Sequence, residues 1–369
     1  MGKKHFVGWI GKQNLFVTVA LLVVVGGALV LLLKKEASLP TYSPVCQFAQ
    51  FELATRREYS GRSIPITESN LNQLKVLLQV GDGRGYGGVA FSPDGAFVAN
   101  GAEDGVRIWR VSDGEMVDVL GDAPARGLAF SPDGKLLATG DSNGKIRLWR
   151  MPDLQMLCAF QATSDRAVEF MAFSPEGDFL AASFRDGFGV WKISKTQVFK
   201  GPVVEKRPGE EFFGGIAFSP NGRVLAVGTF VGGVQIRRVS SGKLKHTLSV
   251  QLWKGLAFSH DGKFLVIGSV DGVQLWRASD GVYVRTIEKK GTPMEQGWAL
   301  SPDWRLLATV GGGVEKVLKI WRMSDGALLK VVTDDSSGEW WGVAFSPDGS
   351  LIAISGGDDY DVRILGVGR

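Results

Sequence analysis

A block reading FSPDG, or a close variant of it, starts at Phe91, Phe130, Phe173, Phe218, Phe258, Leu300 and Phe345, so seven copies follow one another at intervals of 39 to 45 residues. A period of this size constrains the fold more than any other property of the chain, because it means one supersecondary unit repeated rather than a single irregular core. Each copy is followed by a second block: GVRIWR, KIRLWR, GFGVWK, GVQIRR, GVQLWR, VLKIWR and DVRILG in turn. Its Trp is Trp109, Trp149, Trp191, Trp276 and Trp321, with Arg237 and Leu365 in the fourth and seventh copies.

Within a unit, short β-branched and apolar runs alternate with Gly, Asp, Asn and Pro, the signal of strands joined by tight turns. In the second copy GLAFS, KLLATG, KIRLWRM and QMLCAF read as four strands, with PDG, DSNG and PDL as the turns between them. A four-stranded antiparallel unit cannot bury both its faces alone, so it must stack on its neighbours. The 50 glycines among 369 residues serve these turns, and 44% apolar with 22% charged residues is ordinary globular composition.

FSPDG, then a D-G or N-G turn, then V-x-[IL]-W, repeated seven times, resembles the WD-repeat family of β-propellers over residues 71 to 369. The resemblance implies an all-β fold: a seven-bladed β-propeller of four-stranded antiparallel blades. The chain stops in the third strand of the seventh unit, DVRILGVGR, while LNQLKVLLQV at residues 71 to 80 matches the fourth-strand position of other units. In this family such a segment completes the last blade and closes the ring, which removes an exposed sheet edge. The sequence also departs from the family. The Asp that follows the Trp is replaced by Arg110, Arg150, Lys192, Arg277 and Arg322, and the Gly-His pair ahead of each first strand is absent. A His-centred network tying the strands is therefore not expected; the resemblance is to a divergent, bacterial-type propeller held mainly by apolar packing.

Ahead of the repeats lie a short basic segment, residues 1 to 14, and the uncharged run LFVTVALLVVVGGALVLLL, residues 15 to 33. As a helix at about 1.5 Å per residue, this run would cover roughly 28 Å, the thickness of a bilayer's hydrocarbon core. Lys34, Lys35 and Glu36 follow directly, where a cleaved signal peptide would have small residues, so a retained single-pass signal anchor is expected. Three lysines before the run and two after it lean the propeller toward the extracytoplasmic side. Residues 34 to 70, with Pro40, Pro44 and Pro65, read as a linker or stalk. Five of the 42 basic residues and no acid lie in residues 1 to 35, which leaves 37 basic against 38 acidic residues in the remainder. That balance gives no basic footprint, and no nucleic-acid partner is expected. Cys46 and Cys158 are the only cysteines; they make neither a disulfide framework nor a metal cluster, and Cys158, inside MLCAF, is expected as a buried thiol.

Catalytic patterns do not emerge. His5, His246 and His260 fall in unrelated places, and the glycine-rich GDGRGYGG at residues 81 to 88 leads into a strand rather than the helix N-terminus that a phosphate cradle needs. No cofactor, no metal and no enzymatic activity are expected. Propellers of this family bind partners through loops on their faces, and the residues four positions before each FSPDG block, where a strand begins, differ most among copies. They are Gly87, Arg126, Glu169, Gly214, Lys254, Gln296 and Trp341. A recognition ring and an idle solvated rim both fit that variation. One position earlier stand Tyr86, Ala125, Val168, Phe213, Trp253, Glu295 and Trp340, where core packing is expected although the tryptophans are large for it. Arg126, Glu169, Arg185, Trp253, Lys254, Gln296, Trp340 and Trp341, with Phe212 and Phe213 from the longest interblade loop, form the candidate partner-binding set. Three positions before the block is Gly in six copies, and Phe170, the exception, is expected to fill part of the central channel. The function expected is a non-enzymatic, membrane-anchored protein–protein interaction scaffold or accessory subunit of a membrane complex. A small-ligand sensor or propeller enzyme with its site at the channel mouth is the alternative, against which the six glycines argue.

Overall fold

In the computed structural model the described residues are 20–25, 28–33, 44–47, 64–163, 166–185, 187–195, 197–205, 214–229, 233–287, 295–311, 316–334, 338–356 and 361–367. Two compact units separate, Met1–Tyr42 and Ser43–Arg369. In the first, Ala20–Val25 and Ala28–Leu33 are strands paired antiparallel, with Val25 opposite Ala28. This corrects the helix expected over residues 15 to 33. Its length fits a bilayer, but seven of its 19 residues are Val or Thr, and Gly26-Gly27 stands midway, the composition of a two-residue hairpin connection. Among the described residues no helix is long and apolar enough to cross a membrane.

The second unit is a propeller of seven antiparallel sheets, one per repeat. Blade 1 runs from the innermost strand Gly85–Phe91 through Phe97–Ala102 and Gly105–Arg110 to the outermost Met116–Leu120. Five more blades keep that order. Blade 7 contains Trp340–Phe345, Leu351–Gly356 and Val362–Val367, and its outermost strand is Leu74–Val80 from ahead of the first repeat. Val362 lies opposite Val80 and Val367 opposite Leu74, so the closing strand expected from residues 71 to 80 does complete the last blade. Successive innermost strands touch one another, and the last touches the first.

Stacking explains the burial pattern. Second and third strands are covered by neighbouring blades on both faces, so Phe97–Ala102 is buried at every residue after the first; outermost strands such as Met116–Leu120 stay largely exposed. Each interface is an apolar layer. Between blades 1 and 2, Val106 and Ile108 meet Leu137 and Trp149, and at the closure Val362 and Ile364 meet Val98 and Trp109. Burying one such side chain contributes about 1.5–3 kcal/mol, so the closing interface is built like the others. The FSPDG block makes the same turn each time. In blade 1 the Ser92 hydroxyl donates to Asp94 Oδ1 at 2.6 Å and accepts from the Phe97 N–H at 3.0 Å, and Gly95 takes φ 71°. Trp304 stands where the other copies have this glycine, at φ 62°. In three blades the third-strand tryptophan donates from Nε1 to the second strand, Trp109 to Asn100 at 2.7 Å, Trp149 to Thr139 at 2.9 Å and Trp321 to Thr309 at 3.0 Å.

Parts of the stretch expected as a plain linker are built into the propeller. Pro44–Gln47 adds a fifth strand to blade 3 by pairing with Gln197–Glu205. There Cys46 forms a disulfide with Cys158 of blade 2, with Cα atoms 6.0 Å apart across 112 residues of sequence. The expectation of a buried free thiol is corrected: Cys158 is buried, but bonded. The two cysteines meet only because the fifth strand lies against the neighbouring blade's outer strand. Farther along, Ile66 is buried, its N–H donates to the Gly349 carbonyl at 2.9 Å, and Glu68 pairs with Arg322 at 2.8 Å.

Candidate functional site

One face of the propeller gathers the ends where innermost strands begin and the turns between second and third strands. Of the seven residues at the start of those strands, Gly87 and Gly214 are buried, because a Cβ at either would lie under 3 Å from the neighbouring Gly101 or Gly228 backbone. Arg126 and Trp341 are exposed, and Glu169 is half-buried. The structure brings Arg126 of blade 2 and Glu169 of blade 3 together as an ion pair, Nη1 to Oε2 at 3.3 Å. Arg185 is exposed in the turn between the second and third strands of blade 3.

The adjacent tryptophans part company. Trp341 is 36% exposed on the rim, whereas Trp340 is fully buried, with the Arg363 guanidinium 5.9 Å from its ring centroid. Consecutive strand residues point to opposite sides. Trp340 is thus corrected from partner-binding candidate to interblade packing, the reading its position favoured. Trp253, Lys254 and Gln296 belong by backbone to the innermost strands Leu252–Phe258 and Glu295–Leu300, and their side chains lie outside the described residues. Phe212 and Phe213 lie outside the described residues altogether. Crowding between blades explains some of the glycines three positions before the block: a Cβ on Gly215 would come within 2.8 Å of Gly255, and one on Gly297 within 3.0 Å of Gly342, whereas one on Gly88 would make only ordinary contact. Phe170 packs against the apolar cluster of blades 3 and 4.

Sequence reasoning missed a set of arginine–carboxylate clamps on this same face. Arg107, in the third strand of blade 1, is almost wholly buried and donates to Asp361 of blade 7 at 2.5 Å, to Asp82 at 2.6 Å and to Asp104 at 2.8 Å. Asp361 has no exposed side-chain surface, and its other carboxylate oxygen accepts the Gly85 N–H at 2.7 Å. Hydrogen bonds from Arg107 hold the Asp82 and Asp104 carboxyls below the usual carboxylate range, against the opposing effect of burial. The same carboxylates, Asp104 foremost, push the guanidinium pKa upward. Blade 2 repeats the device: Arg147 bonds Asp141 at 2.7 Å within the blade and Asp122 in the connection from blade 1. In blade 7, Arg363 pairs with Asp334 at the end of blade 6 at 2.9 Å. No His-centred network was expected, and among the described residues these clamps add polar ties to the apolar packing at three blade boundaries. Their signal was visible in the aligned copies, as Arg at one position of GVRIWR, KIRLWR and DVRILG and Asp at the end of, or two residues beyond, three outermost strands. Two glycines of residues 81 to 88, Gly81 and Gly85, make room for this clamp. A Cβ on Gly81 would fall 2.2 Å from Asp361 Oδ2, so the stretch is shaped by a carboxylate and not by a phosphate.

Among the described residues no group of three His, Cys, Asp or Glu could hold a metal ion. The site offers an ion pair, a rim tryptophan and rigid strand ends, which is the equipment of a binding surface.

A family model described as "IFT122 first beta-propeller" matches residues 87–365. The chain is 25% identical over 242 residues to a Periodic tryptophan protein 2 homolog of Dictyostelium discoideum and 26% identical over 210 residues to Periodic tryptophan protein 2 of Arabidopsis thaliana. Those matches take in 60% and 54% of this chain but only 25% and 23% of the relatives, so the chain spans about a quarter of their length. Among solved structures, the Cps50 (Swd1) β-propeller domain of Myceliophteria thermophila superposes with a TM-score of 0.68 at 18% identity, over 80% of this chain and all of that one. At that identity the likeness shows the fold alone. With the repeats, the seven closed blades and the family match over three-quarters of its length, the chain belongs to the WD-repeat β-propellers of the IFT122 first-propeller family.

Proposed function

We propose that this propeller is a non-enzymatic scaffold that binds a protein partner on the face where the innermost strands begin. The observation that supports this reading most is the rim itself. At one equivalent position, two blades are closed by buried glycine while others project Arg126 paired with Glu169, and Trp341 with about a third of its surface in solvent. Aromatic and Arg side chains held on a rigid frame are the residues that dominate interface energies. Propellers of this family typically act as protein-interaction scaffolds, which favours the same conclusion, and glycines crowded between innermost strands leave little to converge on a small ligand in the channel. The uncharged, lysine-flanked run at residues 15 to 33 supports association with a bilayer, and the Cys46–Cys158 disulfide supports an oxidising compartment for the propeller.

The test is crosslinking mass spectrometry on native membranes, followed by purification of the full chain with its partners. A stoichiometric partner crosslinked to this face, and lost in a Trp341→Ala, Lys254→Glu double variant, is the expected result. Full-length protein that purifies as a lone monomer and turns over a small molecule overturns the reading. Recovery in the soluble rather than the floating fraction overturns the bilayer association separately.

A further inference from the structure

Blade 4 differs from its neighbours in charge. Residues 216 to 248, the span of its four strands, contain Arg223, Arg237, Arg238, Lys243 and Lys245 and not one Asp or Glu, inside a propeller whose charges balance only when summed over all seven blades. The aligned turns show how the acids were lost. Where a cation follows the FSPDG-type turn, the turn's own Asp pairs with it: Lys135 with Asp133 at 3.4 Å, Lys263 with Asp261 at 3.1 Å and Arg305 with Asp303 at 3.8 Å. In blade 4 that Asp is Asn221, and the cation is Arg223. The arginine ending the third strand is likewise paired elsewhere, Arg110 with Asp113, Arg150 with Asp153, Arg277 with Asp280 and Arg322 with Asp325. In blade 4 it is Arg238, and the partner position is Ser241.

Arg223, Arg238, Lys243 and Lys245 are all exposed, and among the described residues no carboxylate lies within ion-pair distance of them. They occupy one end of the blade, where the Val239 N–H donates to the Arg223 carbonyl and the Arg238 N–H to that of Lys243. That end is opposite the one proposed above for the scaffold's partner. Beside it a cleft of about 530 Å³ opens between blades 4 and 5, with Arg223 and Lys245 on its lining and Val224, Ile236 and Phe258 as its apolar part; the lining's one carboxylate, Asp261, is already paired with Lys263 at 3.1 Å. His260, held by its Nε2 contact of 2.6 Å with the Pro302 carbonyl, forms part of the wall.

We infer that this cleft is a second docking surface, for an acidic peptide segment of a partner protein that carries an apolar side chain among its carboxylates. Charge complementarity calls for an anion, and the apolar lining calls for something with side chains to bury. Nucleic acid would call for aromatic platforms free to stack on bases, whereas Phe258 is half-buried in its strand and the His260 ring lies edge-on to Trp304, with centroids 5.9 Å apart.

The test is a fluorescence-anisotropy titration of full-length protein with a labelled twelve-residue peptide of Asp and Glu interrupted by Leu. Saturable binding is expected, weakened by salt, lost when the acids are replaced by Asn and Gln, and unchanged by Trp341→Ala on the other face. Arg223→Glu with Lys245→Glu should weaken it about tenfold or more, from two lost attractions and two new repulsions at a screened surface. Arg223→Gln with Lys245→Gln, which alters shape little, should weaken it less and keeps the test valid if the charge-reversed variant misfolds. Absence of binding, equal binding of the neutral peptide, or indifference to both variants overturns the inference. So does stronger binding at these residues of a single-stranded oligonucleotide or of phosphatidylserine vesicles. Failure here leaves the scaffold face untouched, since Trp341 and Lys254 report on that face alone.

Discussion

Replacing Arg107 by Met leaves the Asp361 carboxylate fully buried beside blade 1 with no cation. Removing one partner of a buried pair costs roughly 3–5 kcal/mol, most of it the penalty of the charge left behind. Two features place this case at the lower end. Asp361 keeps its bond from the Gly85 N–H, and Asp82 and Asp104, with side chains 56% and 40% exposed, can turn to water. A loss of about 3 kcal/mol is expected, which for a unit of this size moves the melting midpoint by about 5 °C. The assay is urea unfolding followed by tryptophan fluorescence, with hydrogen exchange on Leu74–Val80 to locate the weakness at the ring closure. Arg107→Met with Asp361→Asn should recover at least about 1.5 kcal/mol relative to the sum of the single losses, since the two groups couple directly. A single-variant loss below about 1 kcal/mol, or strict additivity in the double variant, would refute the view that the clamp holds the closure.

The lowered pKa values of Asp82 and Asp104 make the clamp's contribution pH-dependent: it is fully present above the unfolded carboxylate value of about 4 and lost as pH falls through the lower folded values. The stability gap between wild type and Arg107→Met should therefore narrow in urea titrations below about pH 4, and a gap constant down to pH 3 would contradict the assignment. Gly95→Ala should cost about 1–2 kcal/mol in the same assay from backbone conformation alone, because Gly95 sits at φ 71° with nothing within 4 Å of the added methyl; no loss would mean the turn relaxes. Cys46→Ser should lower stability by about 2–4 kcal/mol and make residues 44 to 47 protease-sensitive, whereas equal stability with and without reductant would show the bond to be idle. Deleting residues 71 to 80 should expose the edge of Val362–Val367 and cause aggregation seen by light scattering, and a soluble, cooperative monomer would rule out closure by that strand.

The repeated unit, its turns and the closing strand were legible in the sequence because each is settled within about ten residues and stated seven times. Ser92, Asp94 and Gly95 make their turn from local geometry, and the alternation of apolar and turn residues fixes strand lengths wherever the blade lies in the ring. What only the tertiary structure decided concerns groups that meet across blades. Arg107 reaches Asp361 over 254 positions, and Cys46 reaches Cys158 over 112, distances set by how closed blades stack and not by any local pattern. Adjacent tryptophans divide into a buried Trp340 and an exposed Trp341 because consecutive strand residues point to opposite sides, and only the stacked blades decide which side is covered. The net charge of the propeller concealed the basic end of blade 4 for the same reason: composition sums over the ring, while a binding surface depends on which few side chains the fold gathers at one end of one blade.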